Sequence, residues 1–149
     1  MDITLHLDGE ARALSVDTRT GELRIPRMLG MFAAGRIVNP RTARSQLIGG
    51  MTFGLSMALF EQAVLDPHAG AIVTDDLAEY HIPTHADVGD FDARWIDAAD
   101  PHVNPMGTKG IGEIGIVGSA AAIANAVFHA TGIRVRDLPI TPDKLLGAG

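Results

Sequence analysis

The residues best suited to chemistry stand in one run, Met106-Gly-Thr-Lys-Gly-Ile-Gly-Glu113. A single carboxylate, Glu113, closes a stretch containing Gly107, Gly110 and Gly112, and an Ala-rich apolar segment follows. Glycine lets a backbone turn sharply and approach a ligand closely. A helix start leaves N–H groups unpaired, which suits an anion. A carboxylate seated there is well placed for acid–base chemistry. It is equally suited to a plain first-turn role, complementing the helix dipole. The local pattern leaves both readings open.

Other chemistries find less support. Gly110-Ile-Gly112-Glu-Ile-Gly115 matches a dinucleotide fingerprint, and Asp137 lies at about the right distance beyond it. That fingerprint must follow directly on a buried strand. Here residues 102–109 read as loop, and Glu113 inside the turn would repel a pyrophosphate. His81 and His85 are four apart, but Pro83 between them blocks the helix that would align them on a metal. The acid-rich residues 87–92 lack the spacing of a calcium loop. No serine sits in a Gly-x-Ser-x-Gly elbow. The chain has no cysteine, which excludes disulfides, thiolate metal sites, iron–sulfur ligation and a thiol nucleophile. No resident metal site is expected from its own side chains.

Charge narrows the partners. The net charge of −6 and the scarcity of aromatics argue against nucleic acid. Residues 19–44 hold six arginines and one acid, Glu22; residues 66–100 hold nine acids and one arginine, Arg94. Two solvated segments of opposite sign would attract each other weakly. Alternatively, the arginines face an anionic ligand or partner, since their planar fork suits phosphate and carboxylate.

The elements that must position Glu113 follow from turn residues and periodicity. At 149 residues, with 46% hydrophobic content, the chain is long and apolar enough for one globular domain, expected over 1–149. The N-terminal ten residues alternate like a strand and show no targeting segment, so a cytoplasmic location is expected, with export beside a partner left open. Residues 13–17 read as a strand, residues 18–21 as a turn, and residues 22–34 as an alternating stretch interrupted at Pro26. Asn39-Pro40 predicts a helix start, and the helix is expected over residues 40–64. Gly49, Gly50 and Gly54 inside it would each weaken it by ~1 kcal/mol relative to Ala, so a backbone or ligand should pack there. A turn over 66–70, a short strand from Ala71, irregular chain over 80–89 and a strand over 91–96 come next. A second helix is expected over 115–130, ended by Gly132, then a short strand over 133–136 and a final helix from Pro142. Residues 114–133 are long enough to span a bilayer, but their Ala, Gly, Ser and Asn content reads as a buried core helix, with no membrane span. Hairpins followed by helices indicate an α+β fold.

Several runs taken together resemble one family. They are Gly35-Arg-Ile-Val-Asn-Pro40, Gln46-Leu-Ile-Gly-Gly50, Glu79-Tyr-His-Ile-Pro83 and Lys109-Gly-Ile-Gly-Glu113, with residues 125–130 and 136–141 behind them. In this order and spacing, residues 16–146 resemble the C-terminal part of the molybdopterin-binding large subunit of the xanthine dehydrogenase/aldehyde oxidase family, the molybdenum hydroxylases.

The resemblance implies an α+β fold of strands and hairpins packed with two long apolar helices. It implies part of an oxidoreductase that hydroxylates an aldehyde or aromatic heterocycle with water as oxygen source. Glu113 matches the family's catalytic base, Gln46 matches a glutamine that contacts the pterin, and Lys109, Gly110, Ile111 and Gly112 match the loop lining the same site. The cofactor implied is molybdopterin, as such or in its cytosine dinucleotide form, shared with a partner chain. The partners implied are a larger molybdopterin-binding chain and iron–sulfur and flavin electron-transfer subunits, or self-association, besides a small-molecule substrate. The family subunit is far longer than this chain. The competing expectation is therefore a non-catalytic remnant or interaction module that keeps the fold without binding cofactor.

Overall fold

A computed structural model describes residues 2–7 and 10–146 of the chain. Strand β1 (Asp2–Leu7) pairs antiparallel with β2 (Glu10–Val16), and β2 pairs antiparallel with β3 (Leu23–Arg24). The N-terminal strand is as expected for Asp2–Leu7; Met1, Asp8 and Gly9 lie outside the described residues. The turn between β2 and β3 closes on Gly21, whose φ of 72° is left-handed. Asp17 Oδ1 accepts from the Arg19 amide in the same turn.

The alternating stretch over 22–34 is two strands rather than one. β3 stops at Arg24, and β4 (Arg27–Phe32) begins beyond Pro26, which cannot donate to a ladder. β4 pairs in parallel with β7 (Asp90–Trp95), with Met28 opposite Phe91 and Gly30 opposite Ala93. A parallel pair needs a long crossover, and helix α1 (Pro40–Leu59) lies within it.

Helix α1 starts where the sequence indicates. The Asn39 side chain accepts hydrogen bonds from the amides of Arg41 and Thr42, and Pro40 takes the first helical position. Its buried stripe of Ala43, Leu47, Gly50, Met51, Gly54, Leu55 and Ala58 repeats at helical spacing. Leu47 and Leu55 are fully buried, each stabilising the fold by roughly 1.5–3 kcal/mol. The helix ends at Leu59, not at Val64 as expected. The hairpin of β5 (Leu65–Asp66) and β6 (Ala71–Ile72) claims the intervening chain. Thr74 Oγ1 donates to Gln62 O and accepts from Val64 N, and Val73 N donates to Val64 O. The turn over 66–70 and the irregular stretch over 80–89 are as expected.

The second long helix is divided. α2 (Ile114–Val117) stops at Gly118, and α3 (Ser119–Thr131) follows. Gly132, at φ 76°, ends α3, with its amide bonded to Phe128 O. Residues 133–136 form no strand. Instead Arg134 stacks on the Phe128 ring at 3.6 Å and donates to Asn125 Oδ1, so the segment is tied to α3 rather than to a sheet. α4 (Pro142–Leu146) closes the described chain.

The core joins β2, α1, β7 and α3 through Val16, Leu55, Phe91, Ile123 and Val127. The chain over Ile114–Thr131 is long and apolar enough to cross a membrane by length and composition, but 28% of it is buried in the fold. The expected buried core helix is thus buried on one side: Ile123 and Val127 face the core, while Val117 is 79% exposed.

Candidate functional site

The α1–α2 crossing sets the place of Glu113. A Cβ on Gly50 would lie 2.8 Å from Gly115 Cα, and one on Gly115 would lie 2.6 Å from Leu47 O. The two helices touch backbone to backbone there, which only glycine permits. One turn on, a Cβ on Gly54 would lie 2.3 Å from Ser119 Cβ, and Ser119 Oγ donates to Gly115 O. Gly50 and Gly54 thus fulfil the expected close packing. At Gly49 no backbone packs, since nothing lies within 4 Å of its Cβ position.

Glu113 stands at the N-cap of α2, and its side chain makes no capping hydrogen bond. It is exposed, and no partner for its carboxylate exists among the described residues. The first-turn role therefore lacks its usual hydrogen bond. α2 is also only four residues long, too short to carry a strong dipole.

Gln46 reaches this point from α1. Its Nε2 donates to Gly112 O at 2.7 Å, joining residues 66 positions apart. Gln46 and Gly49 share the exposed face of α1. The loop itself is open: nothing lies within 4 Å of a Cβ at Gly110 or Gly112. The amides of Gly110, Ile111 and Gly112 have no acceptor among the described residues. Ile111 is half-buried and packs against the core.

Lys109 is placed differently from its neighbours. Its ammonium pairs with Asp100 at 3.0 Å, and its amide donates to Ala34 O. The Lys109 hydrogen bond holds the Asp100 carboxyl below its ordinary range. The preceding residues are indeed loop, with one isolated bridge between Thr108 and Gly35, so no buried strand feeds the glycines and the dinucleotide reading fails. Sequence reasoning missed Asn104 and Asp100, whose bonds shape this loop; the pair Asn104-Pro105 ahead of Gly107 is the signal that marked the turn.

Among the described residues, the two charged segments meet in two pairs. Arg44 of the basic segment pairs with Asp92 of the acidic one, and Arg27 lies 4.0 Å from Asp90. No group of three or more His, Cys, Asp or Glu side chains able to hold a metal exists among the described residues.

Residues 10–89, more than half of the chain, match the model of a molybdopterin cofactor-binding domain. The chain belongs to that family. It is 53% identical over 133 residues, 89% of the chain, to the aldehyde oxidoreductase molybdenum-binding subunit PaoC of Escherichia coli, of which it covers 18%. It is 36% identical over 132 residues to the xanthine dehydrogenase molybdenum-binding subunit of the same species, covering 17% of it. Quinoline 2-oxidoreductase of Pseudomonas putida has a similar fold, with a TM-score of 0.83 at 28% identity over 93% of this chain and 18% of the other. Aldehyde oxidoreductase of Desulfovibrio gigas gives 0.80 at 29% identity, over 93% and 15%. The chain therefore spans less than a fifth of these relatives. Together they bear out the α+β reading and the molybdenum hydroxylase resemblance.

Proposed function

We propose that this chain supplies one wall of a molybdopterin site and the acid–base residue of a molybdenum hydroxylase. The observation that carries the reading is the Gln46–Gly112 hydrogen bond, which ties α1 to the open glycine loop directly before the uncapped Glu113. The residues fit such a group as one side of its site. Free amides at Gly110, Ile111 and Gly112 can donate to polar edges of a pterin, and the space above Gly110 and Gly112 admits its approach. Gln46 keeps its Oε1 as an acceptor.

Each residue then has a role. Glu113 takes a proton as general base and returns it to solvent. Gln46 and residues 110–112 hold and orient the cofactor. Lys109, engaged by Asp100, contributes through the loop it anchors rather than as a free charge. When bound, the molybdenum cofactor supplies the two-electron oxidation and the water-derived oxygen. The substrate class is an aldehyde or aromatic heterocycle. The remaining walls, and the electron-transfer centres, belong to a larger molybdopterin-binding chain and its iron–sulfur and flavin partners.

The test is molybdenum and pterin analysis of the chain isolated from its native host with any co-purifying subunits. Stoichiometric cofactor in that assembly supports the reading. An assembly free of molybdenum and pterin would make the chain a non-catalytic module.

A further inference from the structure

The loop that carries Glu113 is held at both of its ends. Gln46 holds the far end at Gly112. The near end is organised by Asn104, which is half-buried. Asn104 Nδ2 donates to Thr108 O at 2.7 Å. Asn104 Oδ1 accepts from Met106 N at 3.1 Å and from Thr108 N at 3.3 Å. The Asn104 carbonyl accepts from Gly107 N at 2.9 Å.

This turn is docked to the body mainly by backbone, with the Lys109–Asp100 ion pair beside it. Gly107 O accepts from Arg36 N at 2.8 Å and from Asp100 N at 3.1 Å, and Lys109 N donates to Ala34 O. Gly107 and Gly35 both have left-handed φ, and a Cβ on Gly35 would lie 2.5 Å from Gly107 O. The contact therefore tolerates no repacking by side chains. The turn must present the carbonyl of Gly107 and the edge of Thr108 in the right direction, and Asn104 is the group that fixes both. Asparagine supplies a donor and an acceptor on one planar group. Aspartate would lack the donor, and serine would lack the reach.

We infer that Asn104 is a positioning residue for Glu113. It fixes Thr108, Thr108 fixes the start of residues 109–112, and Gln46 fixes their end. With both ends set, a segment of four residues that includes two glycines has little freedom left. Without Asn104 the start of the segment keeps the Lys109 amide on Ala34 O and the Lys109–Asp100 pair, but Thr108 loses the side-chain bonds that orient it, and glycine's conformational freedom at Gly110 is less constrained. The inference rests on Glu113 being the acid–base residue. Small misplacements of such a group cost rate out of proportion to their size.

The experiment uses the assembled, cofactor-loaded enzyme with Asn104→Ala and Asn104→Asp, read by steady-state kinetics, molybdenum content and amide hydrogen exchange. For Asn104→Ala we expect kcat to fall at least tenfold, KM to stay within twofold, and molybdenum content to hold. Exchange of the amides over 108–113 should rise at least tenfold while α1 and α3 stay protected. Asn104→Asp keeps the acceptor and loses the donor, so it should recover part of both effects. Should Asn104→Ala fail to assemble, Asn104→Asp carries the test through the same amides. Unchanged exchange over 108–113 overturns the inference, and so does exchange that rises equally across α1 and α3. Exchange is read without catalysis, so full turnover in Glu113→Gln would remove the base and leave the loop result standing.

Discussion

Gly49 and Gly50 are adjacent on α1, yet an added methyl should act on them with opposite sign. Replacing a glycine inside an exposed helix by alanine ordinarily stabilises by ~0.5–1 kcal/mol. At Gly49 the methyl meets nothing within 4 Å, so that gain should appear in full. At Gly50 the same methyl lies 2.8 Å from Gly115 Cα, 3.0 Å from Gly115 C and 3.1 Å from Ile116 N. Carbon atoms pack at about 3.5–4.0 Å, so the α2 backbone must retreat by roughly 0.5–1 Å. Overpacking of this kind costs about 1–3 kcal/mol. The propensity gain is common to both variants, so the gap between them isolates the contact, at about 1–3 kcal/mol. Urea unfolding followed by circular dichroism measures it, provided both variants keep the same slope. In thermal melts the gap should be on the order of 2–12 °C for a chain of this length. A Gly50→Ala variant as stable as Gly49→Ala would refute the backbone contact between α1 and α2, and with it the placement of Glu113.

Acid should act through Asp92. The hydrogen bond from Arg44, with a second from Arg94, holds its carboxyl below the ordinary range against the opposing effect of burial. A depressed folded value means stability that is present above the unfolded pKa of about 3.9 and lost as pH falls through the folded one. Asp92→Asn should therefore be less stable than the parent at about pH 6, with the gap narrowing as pH falls below about 4; a gap independent of pH in urea titrations would contradict this. The isolated chain should associate at micromolar concentration, because Leu77, Val117, Val38 and Phe53 are 66–81% exposed and leave apolar area in water. Sedimentation showing a monomer that binds no hydrophobic dye would show the surface to be self-sufficient. Asn39→Ala should lower stability by ~1 kcal/mol through loss of the α1 cap, checked by the same urea titration.

Local signals were legible and competing long-range ones were not. Asn39-Pro40 and Gly132 mark helix ends by their own chemistry, and both ends fall where that chemistry puts them. The end of α1 is different, because no residue between Leu59 and Val64 breaks a helix. Only the pairing of residues 62–65 with residues 71–74 ends it, and periodicity carries no trace of that pairing. The division at Gly118 is hidden for a similar reason, since the apolar period runs straight through it. The parallel partnership of β4 and β7 spans the whole of α1 and could not be read from either strand. In the site, residue types pointed to Glu113 and its glycines, and the family resemblance added Gln46. The engagement of Lys109 by Asp100 and the bonds of Asn104 depend on a loop conformation that spacing alone does not reveal.

On the proposed reading, Glu113 carries the proton in a site whose cofactor this chain helps to hold. The most direct measurement is turnover by the assembled enzyme carrying Glu113→Gln, normalised to molybdenum and pterin content. Glutamine keeps nearly the same shape and cannot act as a base, so content should match the parent while turnover falls by ~10²–10⁴. Turnover close to the parent, with the substitution verified and the cofactor in place, would remove Glu113 from the proton transfer.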